Sequence, residues 1–298
     1  MADKNPAGEF LVKPYTKVRL RKWDTVWSGA GPLRHLRADK LKQEALDMIH
    51  RNLERLAGAQ ELLWASDRYA LLVVLQGMDA SGKDGLVKHV MSGLNPQGCH
   101  VISFKQPSDE EIEHDFLWRY AKALPARGRI GLFNRSHYED VLVVRVHPEW
   151  LDRQKLPAKR GQSLWEHRYE DINSFEEHLA RNGTVILKFF LHVSKKEQKR
   201  RLLERLENPR KHWKFSAADL AERAYWSDYV EAYEDALSAT SSKHAPWFII
   251  PADHKWVARA LVSEILTRTI EGLDLEFPEL TQEQQIALAK AKKLLEGE

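Results

Sequence analysis

Tyr69-Ala-Leu-Leu-Val-Val-Leu75 runs through Gln76 into Gly77-Met-Asp-Ala-Ser-Gly-Lys83-Asp84, and then into Gly85-Leu-Val-Lys-His-Val-Met91. The first stretch is short, apolar and partly β-branched, so it reads as a strand buried on both faces, as in a parallel sheet. The second has the spacing G-x-x-x-x-G-K between a strand and a helix, the context a phosphate-binding loop requires. Gly77 and Gly82 permit backbone angles that bulkier residues resist. The loop, with Ala80 and Ser81 inside it, can therefore aim several N–H groups at one anion. The helix N-terminus adds its positive partial charge, and Lys83 supplies a mobile cation for terminal phosphates. Asp84 stands where this loop usually carries a Ser or Thr for magnesium. A carboxylate can bind Mg²⁺ instead, and Asp79 within the loop is a second candidate.

Outward from this loop the same kind of apolar run recurs at His100–Phe104, Ile130–Phe133, Thr184–Val193 and Trp247–Ile250. Helical spacing lies between and around them, at 39–56, 85–94, 109–124, 164–181, 195–207, 217–238 and 255–270, with a last amphipathic stretch at 281–295. Five strands alternating with helices predict an α/β doubly wound fold, three αβα layers around a five-stranded parallel sheet. Residues 1–35 carry helix-breaking Pro and Gly and are expected to lie as an arm over the core. Residues 36–298 contain no Pro/Gly/Ser-rich linker and read as one domain. Pro148–Gly161, rich in Lys, Arg and Pro, interrupts the rhythm and is expected to form a lid together with the basic helix that begins at Lys195.

The composition, 43% hydrophobic and 30% charged over 298 residues, excludes wholesale disorder. The longest apolar run, Tyr69–Leu75, is far short of the ~20 residues a bilayer helix needs. MADKNPAGEFLVK at the start has no apolar leader region. The single Cys99 can form neither an internal disulfide nor a metal cluster, so a reducing, cytoplasmic location is expected. Net charge is only +3, but Lys195–Lys214 holds nine Lys/Arg against three Glu. Such a block attracts polyanions; it also reads as a solvated helix face with i,i+4 pairs.

A second candidate site segment is Ile130-Gly-Leu-Phe-Asn134-Arg135-Ser136-His137-Tyr138-Glu139-Asp140. In phosphate-loop proteins a second strand ends beside the loop and delivers an acidic or polar group to the metal. Asn134 sits at such an end. Arg135 can neutralise charge on a transferring phosphoryl group, and Glu139 and Asp140 follow one turn later. The same residues also read as an ordinary strand-to-helix turn with an Asn cap. Trp165, Tyr169 and Trp213 can each stack a base or serve as core. The 13 His form no HExxH pattern, and no nucleophile elbow surrounds a Ser or the Cys.

Read together, the phosphate loop, Phe133-Asn-Arg-Ser-His-Tyr-Glu139 and Lys188-Phe-Phe-Leu-His-Val-Ser-Lys-Lys-Glu-Gln198 resemble the family-2 polyphosphate kinases. His114-Asp-Phe-Leu-Trp-Arg119, Trp213-Lys214, Ala245-Pro-Trp247 and 253–259 extend the likeness over about residues 35–272, with separated motifs in the right order. The resemblance implies a nucleotide-kinase-like phosphate-loop fold with a lid, about 145–172 and 195–216. It implies Mg²⁺-dependent transfer of the terminal phosphate of inorganic polyphosphate to a nucleotide. By the same likeness Asp79, Lys83, Arg135 and Glu139 are catalytic, with Asp79 and Glu139 on the metal. Gly77, Ala80, Ser81, Gly82, Asp84 and the lid cations Arg201, Arg205, Lys211 and Lys214 bind phosphate; Asn134, Tyr138 and Arg145 bind the nucleotide. Some members carry Asp where this chain has Asn134, which makes Glu139 the compensating metal candidate. The Phe133–Glu139 wording is similar to the subgroup that accepts both AMP and ADP. A homodimer or homotetramer is implied too, with no nucleic-acid or membrane partner.

An ATP-dependent nucleotide or nucleoside kinase would share every phosphate-loop feature. It differs in needing two nucleoside pockets where a polyphosphate user needs one pocket and a long basic channel. A polyanion- or nucleic-acid-binding protein with a degenerate loop is a third reading, but the chain has no DNA- or RNA-reading motif. Base preference between adenine and guanine is not legible.

Overall fold

The computed structural model describes residues 7–27, 29, 36–157 and 163–297. Five strands, β1 Ala70–Gly77, β2 Cys99–Ser103, β3 Ile130–Asn134, β4 Thr184–His192 and β5 Trp247–Pro251, form one sheet in the order β2-β3-β1-β4-β5. Every pairing is parallel, so the expected five-stranded parallel sheet is present. β1 is central and buried along its whole length, which is why its sequence is apolar without alternation. β2 lies at an edge, and its His100, Val101 and Ser103 are exposed.

The register decides where chemistry can sit. Leu75 pairs with Asn134 across β1 and β3, and Gly77 pairs with Leu191 across β1 and β4. The loops that leave the carboxyl ends of β1, β3 and β4 therefore emerge side by side, where ligands of open parallel sheets bind. The chain passes from one side of β1 to the other between β3 and β4, which opens a crevice at that end.

Helices cover both faces. The long helices are α1 Ala38–Ser66, α2 Lys83–Val90, α3 Ser163–Arg181, α4 Lys195–Glu207, α5 Trp226–Thr240, α6 Lys255–Glu271 and α7 Gln282–Leu295. α1 runs ten residues past the expected 39–56, because Ala59 and Leu63 continue its buried face; it stops at Asp67, left-handed at φ +49°. The expected helix over 109–124 is broken into two turns, Asp109–Ile112 and Trp118–Ala121. Ser108 caps the first in a capping box, and the Asp115 carboxylate accepts from Leu117 N just before the second. The pattern over 217–238 divides likewise into Ala217–Glu222 and α5.

The described part of the first 35 residues lies on the core. Phe10, Val12, Val18, Leu20 and Trp27 are buried, and Val12 N donates to Trp247 O at 2.9 Å. Two arm amides are anchored on α5, Val18 N to Ser238 Oγ and Leu20 N to Glu234 Oε1. Part of the expected Pro148–Gly161 segment, 158–161, lies outside the described residues, as do 1–6, 28, 30–35, 162 and 298. Among the described residues no helix is long and apolar enough to cross a membrane.

Candidate functional site

The loop after β1 has the backbone its glycines predict. Gly77 is at φ +155° and Gly82 at φ +108°. A Cβ on Gly77 would stand 2.8 Å from Ser81 Oγ and 3.0 Å from Leu191 O, so glycine there answers to crowding as well as to angle. Ala80, between them, is left-handed at φ +58°. α2 starts at Lys83 and directs its N-terminal end at the loop. Lys83 Nζ is buried and donates to Gly77 O at 2.6 Å and Met78 O at 3.2 Å. Burial, reinforced by the nearby Arg135 charge, pulls its pKa down to about 8.

β3 delivers the second half. Asn134 donates from Nδ2 to Asp84 Oδ1 at 3.0 Å and to Ser103 Oγ at 3.3 Å, so the strand end and the loop are tied together. Arg135 follows in the left-handed region at φ +65°. Its guanidinium bridges two carboxylates, Nη2 to Asp79 Oδ1 at 2.7 Å and Nη1 to Glu139 Oε2 at 2.9 Å. Glu139, then Asp79, raise the Arg135 pKa further above its ordinary value against the cost of burial, so it is cationic at every working pH.

Two clefts meet at this bridge. One, of about 540 Å³, is lined by nine Lys/Arg against four acidic residues and runs from the loop past Arg205, Lys211 and Lys214. The other, of about 390 Å³, joins an apolar and aromatic part, with Phe104, Ile112, Val143, Trp150 and Tyr229, to charged side chains of both signs, among them Arg119, Arg153, Asp140 and Glu222. Asp79, Phe104, Lys105, Arg135 and Asp219 line both. A basic groove and a mixed pocket with an aromatic part thus share one wall, and that wall holds a guanidinium between two carboxylates. Such a pair of clefts can hold a polyanion on one side and a group with an aromatic ring on the other, with their ends meeting at the cation.

The donor set suits a hard divalent cation. Arg135 engages one oxygen each of Asp79 and Glu139, which leaves the second oxygen of each carboxylate. Among the described residues no group of three or more His, Cys, Asp or Glu is placed to hold a metal. Mg²⁺ does not ask for one, since it keeps several waters and is bound through one or two carboxylates plus substrate phosphates.

Asp79, Lys83, Asp84, Asn134, Arg135 and Glu139 all lie along these clefts, as do Ala80, Ser81, Gly82, Arg205, Lys211 and Lys214. Two expected nucleotide residues do not. Tyr138 is fully buried: its hydroxyl donates to Glu176 Oε1 at 3.0 Å and accepts from Lys188 Nζ at 2.8 Å. It lies in the core because the turn His137–Val141 points it inward onto Trp247. Arg145 pairs with Asp235 at 2.6 Å and with Tyr169 Oη at 2.9 Å, and it lines neither cleft. Arg201 also lines the basic cleft, but as a buried residue bonded to the loop backbone. Of the aromatics singled out from sequence, Tyr169 is core, Trp165 packs against the core, and Trp213 is 79% exposed with the Lys214 ammonium 4.8 Å from its ring.

The sequence reading gave no role to Lys105, Lys255 and Arg259 in the basic cleft, or to Phe104, Trp150 and Tyr229 in the other. Phe104 and Lys105 follow the carboxyl end of β2, so the rule that strand ends line the crevice would have found them. Trp150 comes from the short 3-10 helix Pro148–Asp152 and Tyr229 from the first turn of α5, two elements far apart in sequence whose own patterns do not say that they face one pocket.

Comparison with known proteins agrees with this architecture. The family model polyphosphate kinase 2 matches residues 38–278. An ADP-polyphosphate phosphotransferase of Rhodopseudomonas palustris is 48% identical over 292 residues, 96% of this chain and 97% of that protein. An AMP/ADP-polyphosphate phosphotransferase of Meiothermus ruber is 50% identical over 236 residues, 79% of this chain and 84% of that one. The crystal structure of a polyphosphate kinase 2 from Arthrobacter aurescens superposes with a TM-score of 0.85 at 40% identity, covering 97% of both chains.

Proposed function

Because the chain belongs to the polyphosphate kinase 2 family, we propose that it transfers the terminal phosphate of inorganic polyphosphate to AMP and ADP, reversibly, in a Mg²⁺-dependent reaction. The observation that carries this reading is the pair of unlike clefts joined at Arg135. A polyphosphate has neither base nor ribose to recognise, so its affinity must come from cations along a groove. A nucleotide acceptor needs an apolar pocket with a few polar groups. One cleft has the first character; the other sets Phe104, Trp150 and Tyr229 for a base beside charged groups of both signs for its polar parts. An ATP-dependent kinase would need two nucleoside pockets, and the basic cleft offers few apolar walls to a base. The relatives from Rhodopseudomonas palustris and Meiothermus ruber support the same donor.

In this mechanism the loop N–H groups, Lys83, Arg205 of α4, and Lys211 and Lys214 of the following turn hold the donor chain. The acceptor base lies against Trp150 and its phosphate reaches toward Arg135. Phosphoryl transfer asks little covalent work of the protein; it needs the two oxygens in line and the charge on the transferred group neutralised. Arg135, set between the clefts and fixed by two carboxylates, is placed to provide that charge. No general base is required, because a nucleotide phosphate is already ionised. Asp79 and Glu139 would hold Mg²⁺, which supplies charge neutralisation at the phosphate oxygens when bound.

The segments around 145–172, of which 158–162 lie outside the described residues, and 195–216 are proposed as the lid, within one domain from residue 36 onward, while the described part of the arm packs on β5 and α5. A cytoplasmic location, a homo-oligomeric state and use of ATP in the reverse direction belong to the same reading. Guanine nucleotides are additional candidate acceptors.

The acceptor range is tested by supplying long-chain polyphosphate and Mg²⁺ with AMP or ADP and separating the products by chromatography. Both ADP and ATP are expected from AMP. ATP from ADP, with AMP inert, would restrict the acceptor to diphosphates. In the same assay Trp150→Ala is expected to raise KM for the nucleotide about tenfold, on the scale of one lost stacking contact. KM for polyphosphate should be unchanged; a change in the polyphosphate KM alone would reverse the assignment of the two clefts.

A further inference from the structure

The loop carbonyls raise a question that the loop N–H groups do not. A loop that presents amides to an anion must find partners for its carbonyls, since unpaired buried carbonyls are costly and their dipoles oppose a phosphate. Here three consecutive carbonyls are capped by two side chains of α4. Gln198 Nε2 donates to Asp79 O at 3.0 Å, and Arg201 Nη1 donates to Ala80 O at 3.0 Å and Ser81 O at 2.6 Å. Arg223 in turn orients Gln198, donating to its Oε1 at 2.6 Å.

Arg201 has no donor left over. A guanidinium carries five N–H groups. Besides the two loop carbonyls, they reach Glu197 Oε1 at 2.7 Å, Ala252 O at 2.5 Å and Asp253 O at 3.0 Å. The side chain is only 4% exposed. It therefore joins the phosphate loop, α4 and the turn after β5 into one unit. The carbonyls it takes are that of the left-handed Ala80 and the next one along, and left-handed is a conformation an alanine keeps only when its surroundings enforce it. A phosphate that bonded Arg201 directly would have to break this set.

We infer that Gln198 and Arg201 are positioning residues that hold the phosphate loop in its anion-accepting shape, and that Arg201 is not itself a ligand of the phosphate chain. The inference rests on the polyphosphate reading for its assay and on the loop geometry for its content. Because α4 also carries Arg205, and Glu204 on it pairs with Lys211 of the following turn, the same helix that sets the loop also sets cations of the groove.

The test compares Arg201→Lys, Arg201→Met and Gln198→Met in the full chain, with Lys199→Met, an exposed change on the same helix, as control. Thermal midpoints, kcat, KM for polyphosphate and the salt dependence of kcat/KM are measured for each. If Arg201 is a strut, lysine cannot replace five directed donors, so Arg201→Lys and Arg201→Met lose kcat/KM alike, by about 10–100-fold, the scale of a small misplacement. The slope of log kcat/KM for polyphosphate against log salt stays as in the native protein. Gln198→Met, which changes no charge and keeps the helix, lowers kcat several-fold and carries the test should the Arg201 variants not fold. Recovery of native activity in Arg201→Lys, together with a salt slope reduced by about one charge in Arg201→Met, would make Arg201 a direct phosphate ligand and overturn the inference. A native-like Gln198→Met would overturn it as well. Failure of the polyphosphate reading looks different: the unmodified protein itself would be inactive with polyphosphate, before any variant is compared.

Discussion

Arg135→Ala is expected to lower kcat for phosphoryl transfer by about 10³-fold or more, the range associated with an arginine that neutralises a transferring phosphoryl group. The guanidinium stands where the basic groove and the aromatic-containing pocket meet, held at 2.7 Å by Asp79 and 2.9 Å by Glu139. Its removal takes away the charge at the point of transfer. It also leaves two partly buried carboxylates without their common partner, and their repulsion of incoming phosphates adds to the loss. Arg135→Lys keeps the charge but cannot bridge both carboxylates, because an ammonium lacks the planar fork. It is expected to recover only a small part of the rate. The effect should fall on kcat, with KM for either substrate changing far less. A kcat within tenfold of native for Arg135→Ala would remove Arg135 from the mechanism.

Lys83→Ala is expected to reduce turnover by about 10²-fold or more, the scale of one lost preorganised charge contact. Lys83 also predicts a pH dependence. Its pKa is pulled down to about 8, chiefly by burial. As pH rises through 8 the free enzyme loses that charge, so kcat/KM for polyphosphate should decline on the alkaline side. A bound phosphate chain favours the protonated form, so kcat should hold to higher pH. The decline is not unfolding, and the sign of the linkage separates the two. The folded pKa lies below the ordinary 10.5 of the unfolded chain, so the unfolded state binds more protons between about 8 and 10.5. The contribution of Lys83 to stability therefore rises with pH across that window. Lys83→Ala should both lose activity and flatten the alkaline limb of kcat/KM. Near-native rates, or an alkaline limb unchanged by the substitution, would deny Lys83 this role.

The centre of the fold was legible because it is local. The stretch 69–91 carries strand, turn and helix in unbroken order, and nothing in tertiary packing competes with it. The β3 end was legible for the same reason, and register then places Asn134 beside the loop. What the sequence did not reveal is which face of a short turn looks inward. His137–Val141 is a tight turn whose Tyr138 points into the core, while Glu139 reaches Arg135 and a cleft. Neighbours in sequence diverge there, and no periodicity announces it. Arg201 shows a related limit. A basic helix near a phosphate loop suggests phosphate ligands, yet one of its arginines is buried and bonded to backbone carbonyls from two other segments. The aromatic wall was missed because Trp150 and Tyr229 meet only through tertiary folding.

The most direct measurement is ATP formation from ADP with long-chain polyphosphate and Mg²⁺ as the only phosphoryl source, followed as a function of salt. The account predicts that ATP appears, that it stops when the polyphosphate is hydrolysed beforehand, and that kcat/KM for polyphosphate falls steeply with salt while that for ADP falls little, as a groove of cations requires. No ATP from polyphosphate, with phosphorylated product appearing only when a nucleoside triphosphate is supplied as donor, would contradict it.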